Sequence, residues 1–390
     1  MTAKAASKQK RGLFGLSGLT LIVLLFLAAV VLLGVILGIV RLVKGLGPTT
    51  NLNTGYPWGL WIAFDFFAVP LSAGAFTLAF VVHIFNKKEY HGIAHLALLA
   101  GFLGYLAVVL VLIMDIGRWD QFWSVLLPWR WNLHSFMFEV SMSITLYFIV
   151  LVLELIPVVL GAFGQGESWL AQLITRLLPL IAAVGILLST IHQGSIGAIF
   201  LTLGHRLHRL WWSPIIPLHF LTSAVFSGLS VAILWGLLTW RALNRPAPMK
   251  LFTGLAKAAA VVLGIYVVLK LGDLLFAGEI GLIFTSGRYS VIWWLEILIG
   301  VVVPLVIYAT QARESKRNLL IAAICVVVGL AINRSTTAWF ALSPVEGYTY
   351  SPHWMEYGIM ASALAAIALF YTLGVRYLKT LRDPVEAGAH

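Results

Sequence analysis

The stretch WNLHSFMFEVSMSITLYFIVLVLELIP, residues 131–157, decides the fold class. It is long and apolar enough to cross a membrane, because a hydrocarbon layer of roughly 30 Å needs about 20 helical residues. It nevertheless carries two carboxylates, Glu139 and Glu154. A charge in a spanning helix costs about 2.5–3.5 kcal/mol on insertion scales, so such acids usually face a polar interior or serve ions and protons. The stretch therefore predicts a membrane helix with a chemical role.

The rest of the chain repeats this apolar character. Of its 390 residues, 61% are hydrophobic and 11% are charged, whereas a soluble domain has about 25% charged residues. The sequence predicts an all-α integral membrane protein. Ten spans are predicted, at residues 17–40, 57–85, 94–116, 133–160, 172–196, 214–240, 254–276, 290–311, 318–339 and 353–378.

The distribution of Lys and Arg predicts the orientation. Alternate loops on one side hold 17 of the 26 Lys and Arg residues, and those on the other side hold 8. Cytoplasmic loops carry the excess, so both termini are predicted in the cytoplasm, with the basic N-terminus and first span retained as an anchor. The net charge of +11 is explained by this topology and by anionic membrane lipid, and nucleic acid is not implied.

Cysteine and histidine usage restricts the cofactors. The single cysteine, Cys325, excludes an internal disulfide, a cysteine-ligated Fe–S cluster and C-x-x-C-H haem attachment. Ten histidines would allow haem b, but no pair of central histidines on two spans stands out. We expect no haem, no Fe–S cluster and no metal site in this chain, so a redox centre of that kind must lie on a partner.

A weak internal repeat predicts two related bundles. LVLIMDIGRW around Asp115 resembles VVLKLGDLLF around Asp273, and SFMFEVSM around Glu139 resembles VIWWLEIL around Glu296. IHQGSIGAIF from Ile191 similarly matches INRSTTAWF. An even number of spans separates the partners, which predicts two parallel-related four-helix bundles, spans 2–5 and 6–9, with spans 1 and 10 outside them. The predicted units are residues 1–48 (N-terminus and first span), 49–212 (first bundle), 213–345 (second bundle) and 346–390 (last span and tail).

Polar residues of the first bundle fall at one depth. Asp65, Asp115, Glu139 and His192 all lie within roughly 12 Å of the outer ends of four adjacent spans. This layer is the candidate site, and Tyr105 could present its phenol to the same cavity. Glu154 lies about 22 Å from Glu139 along the helix and about 60° around it, so these two acids could begin and end a proton path, with Asp115 also on it.

Simpler roles exist for most of these residues. Asp115 is three residues from Arg118, which favours an interfacial ion pair. Asp65 could cap or bond a neighbouring helix, Glu154 could be interfacial, and Tyr105 could be an ordinary packed residue. Glu139 has no cation within one turn and is the hardest to explain as structural. A second polar cluster contains both signs of charge, which favours internal salt bridging; its members are Lys270, Asp273, Glu296, Asn333 and Arg334.

The outer loops are rich in aromatic residues and arginine. Residues 117–132 and 197–213 contain GRWDQFWSVLLPWRWN and GHRLHRLWWS. Such residues form an aromatic belt at the membrane interface. They could also form a docking platform for a protein that carries the missing redox centre.

Four segments together carry a family resemblance: NLNTGYPWGLWIAFD, LIMDIGRW, FMFEVSMSITLY and IHQGSIGAIF. Over residues 40–360 the chain resembles the NrfD and polysulfide-reductase membrane-anchor family, especially the quinone-linked subunit of hydrogenase-2-type nickel–iron hydrogenases. The resemblance implies a cofactor-free subunit of the bacterial inner membrane that exchanges electrons between menaquinone and a periplasmic four-cluster iron–sulfur protein, attached to hydrogenase large and small subunits.

The resemblance also assigns roles to residues. It implies that Tyr105, Glu139 and His192 line the quinone and proton site and that Glu154 is a further proton-path acid. Relatives of the hydrogenase type can carry an acid in span 6 where this chain has Trp235. That difference argues against a proton route through the second bundle.

Two other functions would also explain buried acids. A transporter or channel without redox function predicts spans broken at corresponding places, yet Pro70 and Pro304 do not correspond. A purely structural anchor for an iron–sulfur partner predicts that the layer of acids is dispensable.

Overall fold

The computed structural model describes residues 18–83, 86–243 and 245–378. Its ten spanning helices confirm the all-α prediction and its ten spans, with ends that differ by a few residues. The predicted cytoplasmic N-terminus (1–17) and C-terminal tail (379–390) lie outside these residues. Spans 1 to 10 are Gly18–Lys44, Gly59–His83, His91–Asp115, Phe136–Ala162, Trp169–Ile199, Ile216–Ala242, Met249–Phe276, Arg288–Ala309, Lys316–Phe340 and Trp354–Tyr377.

Local chemistry sets several helix ends. Span 4 begins after Ser135, whose hydroxyl accepts a hydrogen bond from the Phe138 amide, and Ser168 caps span 5 in the same way. Spans 8 and 9 each contain a π-helical turn, Leu298–Val302 and Thr336–Phe340. The first precedes Pro304, which has no N–H to continue the regular ladder.

Helix contacts group the spans into two sets. Spans 2, 3, 4 and 5 contact one another in a ring, and so do spans 6, 7, 8 and 9. The sets meet along spans 2 and 6, where Gly74 packs so closely on the Gly228 carbonyl that a side chain would not fit. Spans 1 and 10 pair with each other and lie against span 3. The contact between spans 2 and 6 is as extensive as those within a set, so the two separate four-helix bundles and their parallel repeat stay predictions.

Three loops at one end of the molecule are joined to one another. They are residues 45–58, 204–215 and 341–353, and we call this the outer end, following the predicted topology. The Arg206 guanidinium donates to the Gly55 and Ser343 carbonyls, and Arg206 and Leu207 pair with the 341–353 loop through backbone contacts. The described residues contain isolated bridges of this kind but no strand.

Glu356, in the first turn of span 10, fastens this end of the molecule. It is fully buried and accepts hydrogen bonds from the Asn51 and His353 amides and from the Tyr350 hydroxyl. Tyr350 in turn accepts a hydrogen bond from the Leu60 amide at the start of span 2. Burial and the bond to Glu356 raise the pKa of the Tyr350 phenol, so this hydroxyl remains a donor at neutral pH.

Candidate functional site

Glu139 and span 5 meet at the outer end of the first bundle. The Ser195 hydroxyl lies 2.6 Å from Glu139 Oε1 and also 2.8 Å from the Ile191 carbonyl. The position of Glu139 within the predicted span 133–160 implies burial; the residue is instead exposed, and it lies in the first helical turn after the Ser135 cap. Phe136, three residues before it, and Leu146, seven residues after it, are exposed apolar side chains on the same side of the helix, so the acid lies on an apolar part of the surface.

His192 lies behind this surface. Its ring is fully buried, and Nδ1 is 3.2 Å from the Ser143 hydroxyl of span 4. Nε2 has no hydrogen-bond partner among the described residues. Serines therefore join spans 4 and 5 twice, once at Glu139 and once at His192. Serine residues in an apolar helix carry little sequence signal, so neither contact was predicted.

Aromatic rings continue inward from His192. The Tyr105 ring of span 3 lies 6.1 Å from the imidazole and 4.2 Å from the ring of Tyr147. Tyr147 is fully buried and also packs at 4.0 Å on Phe76. Sequence reasoning missed Tyr147, although its position seven residues before Glu154 places both on nearly one face of span 4.

Asp65 and Asp115 lie near each other, and the arginine beside Asp115 is not the expected Arg118. Asp115 interacts electrostatically with Asp65 and with Arg41, a fully buried residue in the last turn of span 1. Arg41 donates to the Ile116 carbonyl at 3.0 Å. The predicted pair of Asp115 with Arg118 is wrong: Arg118 bonds Asp120 at 2.9 and 3.0 Å, because the chain turns outward after Asp115.

Asp65 has no hydrogen bond to either carboxylate oxygen among the described residues, although only 4% of the residue is exposed. Within the described residues, Asp65 therefore neither caps nor bonds a neighbouring helix. Glu154 lies in the inner half of span 4 and is only 6% exposed, so neighbouring helices cover it.

The second polar cluster is held by hydrogen bonds. Glu296 accepts from Trp211 Nε1 at 2.7 Å and from Asn333 Nδ2 at 2.9 Å. Asn333 Oδ1 accepts from Arg334, which also donates to Ser223. The expected internal salt bridges are absent among the described residues, because the Asn333 amide stands between the carboxylate and the guanidinium.

Lys270 and Asp273 stand beside this network. Lys270 is buried and Asp273 is half-buried, and they form no ion pair in the described part of the chain. Lys270, His219 and Arg334 line a cavity of about 10 Å³, and Glu296 lines another of about 20 Å³. Each is about the size needed for one water molecule.

One outer loop differs from the three joined loops. Residues 117–135 expose aromatic side chains, with Trp129 77% exposed and Phe122 51% exposed. The hydrogen-bonded Arg118 guanidinium lowers the pKa of the Asp120 carboxyl to about 2, so this pair stays charged at any physiological pH. An exposed apolar patch of this kind marks an interaction surface or the membrane interface.

Comparison with known proteins now identifies the family. The polysulphide reductase NrfD family profile matches residues 48–338. The chain belongs to the NrfD family. Its relatives include a probable Ni/Fe-hydrogenase 2 b-type cytochrome subunit of Escherichia coli (strain K12), 34% identical over 354 residues and 90% of each chain.

Two further relatives carry quinone in their names. The integral membrane subunit of a menaquinone reductase of Nitratidesulfovibrio vulgaris is 31% identical over 375 residues, 88% of each chain. The integral membrane subunit of an Hdr-like menaquinol oxidoreductase of Archaeoglobus fulgidus is 24% identical over 385 residues, 90% of this chain and 91% of that one. The family resemblance inferred from the four sequence segments is thereby confirmed.

The word cytochrome in the name of the Escherichia coli relative raises the question of haem b, which needs axial imidazoles with room for a porphyrin. His192 is fully buried between Ser143 and Tyr105, and His219 opens on the 10 Å³ cavity. Neither position fits a porphyrin. His91 and His95 are one turn apart on the same helix with rings 4.8 Å apart, too close to hold a porphyrin between them.

Proposed function

We propose that this chain is the quinone-reactive membrane subunit of a respiratory oxidoreductase complex in the bacterial inner membrane, with both termini in the cytoplasm. It would pass electrons between menaquinone and a periplasmic iron–sulfur partner of a nickel–iron hydrogenase. Membership of the NrfD family and the names of its hydrogenase and menaquinone relatives support the proposal. One observation carries it: Glu139 is exposed beside apolar side chains and bonds the helix that bears His192.

The chemistry of quinone needs this combination. A quinone takes up two electrons and two protons, and each oxygen must exchange its proton with a nearby acid or base. Glu139 stands where a headgroup arriving from the lipid would meet the protein, and His192 lies on the adjacent helix. We assign the proton exchange to these two residues. Tyr105 would close the inner wall of the site, and the unbonded Asp65 would line it from span 2.

Electrons require a partner in this proposal. The single cysteine leaves this chain without thiolates for an iron–sulfur cluster, so the cluster would lie on the docked subunit. The proposed docking surface consists of the exposed aromatic loop 117–132, with Arg130, and the outer loop 197–213, with Arg206 and Arg209. Arginine and aromatic residues are enriched at protein interfaces, so this composition suits a surface that binds a protein.

Glu154 would connect the site to the cytoplasmic side. It is buried about 22 Å inward of Glu139 on the same helix. A carboxylate at this depth costs free energy on insertion into the membrane, which favours a functional role for it. Asp115, coupled to Arg41 and Asp65, would lie on the outer branch of the same path.

The test is quinone-linked turnover of the purified complex carrying Glu139→Gln or His192→Ala. General acid–base catalysis contributes about 10²- to 10⁴-fold, so we expect turnover to fall at least about 100-fold in each variant. Reduction of a dye by the partner subunits alone should remain unchanged. The matched control is Glu346→Gln, an exposed acid on the joined outer loops, which should keep full turnover.

Wild-type turnover in both Glu139→Gln and His192→Ala would reject this site. The chain would then be a structural anchor, or the site would lie in the second bundle. A stoichiometric Soret band in the purified subunit would contradict the assignment of a haem-free chain.

A further inference from the structure

The distance between Glu139 and Glu154 leaves a gap in the proposed proton path. Fifteen residues of helix separate the two acids by about 22 Å, whereas a proton moves between groups within hydrogen-bond reach of about 3 Å. Side chains or ordered water must bridge this distance. The inference below rests on the proposed quinone function and concerns the residues that fill the gap.

Tyr147 stands midway along it. It follows Glu139 by eight residues and precedes Glu154 by seven, about 12 Å and about 10 Å along the axis. Its phenol interacts electrostatically with Glu154 and with Tyr105. The Tyr105 ring lies between those of Tyr147 and His192, at 4.2 and 6.1 Å. The order inward from the candidate site is therefore His192, Tyr105, Tyr147 and Glu154.

Buried polar atoms mark this line from His192 to Tyr147. The hydroxyls of Tyr105 and Tyr147 and Nε2 of His192 are buried, and none forms a hydrogen bond with any residue the structure describes. The hydroxyl of Ser189 lies close enough to the Tyr147 hydroxyl to interact with it electrostatically. The two groups do not have the geometry of a hydrogen bond. Buried polar groups are almost always bonded to protein or to ordered water, so consecutive unbonded groups indicate a path for water.

We propose that Tyr147 is a proton-relay residue between Glu154 and the site at His192 and Glu139, with Tyr105 as the next phenol along the path. In each step a phenol accepts a proton on its oxygen from one side and releases its own hydroxyl proton to the other. Water bridges the intervals between the groups. The phenol is regenerated at each step, and no electron leaves the tyrosine.

Packing alone does not account for the hydroxyl. The Tyr147 ring contacts Phe76 and Tyr105, and Phe76 fits closely against Gly185 of span 5. A phenylalanine would keep all of these contacts. Because the hydroxyl has no described protein partner, removing it should leave the stability of the fold unchanged or improved. A structural role and a relay role therefore predict different results for one substitution.

The experiment compares Tyr147→Phe with Tyr308→Phe in the full complex reconstituted into liposomes. Tyr308 is the matched control, because it is an equally buried phenol in the second bundle, where its hydroxyl bonds Ser230. We expect Tyr147→Phe to lower quinone turnover about tenfold, to change its H₂O/D₂O isotope effect and to leave the melting temperature and the partner dye reaction unchanged. Tyr308→Phe should retain turnover within about twofold. Tyr147 and Glu154 lie on the same proposed proton path, so blocking the path twice should have no further effect. The double variant Tyr147→Phe with Glu154→Gln should therefore be no slower than the slower single variant.

Wild-type turnover and isotope effect in Tyr147→Phe would overturn the relay. A drop in turnover accompanied by a lower melting temperature, with an unchanged isotope effect, would also overturn it in favour of a structural hydroxyl. The result for Glu139→Gln separates the two proposals: its loss of turnover beside an unaffected Tyr147→Phe rejects only the relay, whereas full turnover in Glu139→Gln and His192→Ala rejects the quinone site itself.

Discussion

Glu139 and Glu296 occupy similar places in the two sets of helices but have opposite surroundings. Each lies in the third span of its set and accepts a hydrogen bond from the fourth, through Ser195 and Asn333 respectively. Glu296 is 2% exposed and both of its oxygens are bonded. Glu139 is exposed and is bonded through one oxygen.

The difference separates a closed polar network from an open acid. Both oxygens of Glu296 are held by donors, and the cavity that it lines has room for about one water molecule, which is too small for a substrate. Glu139 has a free side that opens on an apolar surface, which a reacting group needs. Under the proposed function, burial of an acid in this chain is therefore a poorer indicator of the reactive site than access from the lipid.

The largest effect on stability should follow from opening the closed network. Glu296→Ala would leave the Trp211 indole and the Asn333 amide without their acceptor and Arg334 without its nearby carboxylate. Removing one member of a buried charged network costs about 3–5 kcal/mol. We expect a large drop in the melting temperature of the purified subunit, whereas Glu139→Ala should hardly change it. Equal melting temperatures in the two variants would remove the distinction between these acids.

A smaller effect should follow from removing one donor to Glu296. Trp211→Phe keeps the ring contacts with His208 and Tyr289 but deletes the N–H that lies 2.7 Å from Glu296 Oε2. One unsatisfied buried carboxylate oxygen costs about 1.5–3 kcal/mol. The melting temperature should fall by less than in Glu296→Ala. The control is Trp123→Phe, whose indole bonds the Asp120 carbonyl on the exposed loop and should matter little for stability.

The smallest effect should follow from a change beside Glu139, and it should appear in turnover and not in stability. Ser195→Ala removes the hydroxyl that orients Glu139, a bond of about 1 kcal/mol, equivalent to about fivefold in rate. Ser141→Ala, in span 4, removes a hydroxyl that among the described residues bonds the Met137 carbonyl alone, and it should leave turnover unchanged. If Ser195→Ala instead lowered the melting temperature and left turnover intact, the contact between Glu139 and Ser195 would be a structural one.

Hydropathy predicted the ten spans because each is a long apolar run, a signal that needs no tertiary information. The same signal ended the predicted first span at residue 40 and left Arg41 outside it. An arginine after an apolar run suggests a loop, yet its guanidinium is buried against Ile116, 75 residues along the chain. Pairing at that distance is not encoded in any local pattern.

The sequence allowed us to predict the titratable residues of the candidate site. It did not allow us to predict the side chains that connect them. Glu139 and His192 are conspicuous in apolar helices. Ser143 and Ser195, which join them to the facing helices, and Tyr147, which fills the inward gap, are common residues of membrane helices. The bridging amide of Asn333 was likewise unpredictable, because carboxylate and guanidinium in one cluster suggest direct contact.

The bonds around Glu356 also bear on biosynthesis. The Asn51 amide and the Glu356 carboxylate are separated by 305 residues, and span 1 has span 10 as a neighbour. At about 5–20 residues per second, a ribosome needs about 15–60 s to reach Glu356 after making Asn51. Throughout that interval span 1 has no span 10 to pack against, and the Asn51 amide has no Glu356 carboxylate to bond. Synthesis interrupted before span 10 would leave this end of the molecule open, so the Glu356 contacts distinguish a chain that contains span 10 from one truncated before it.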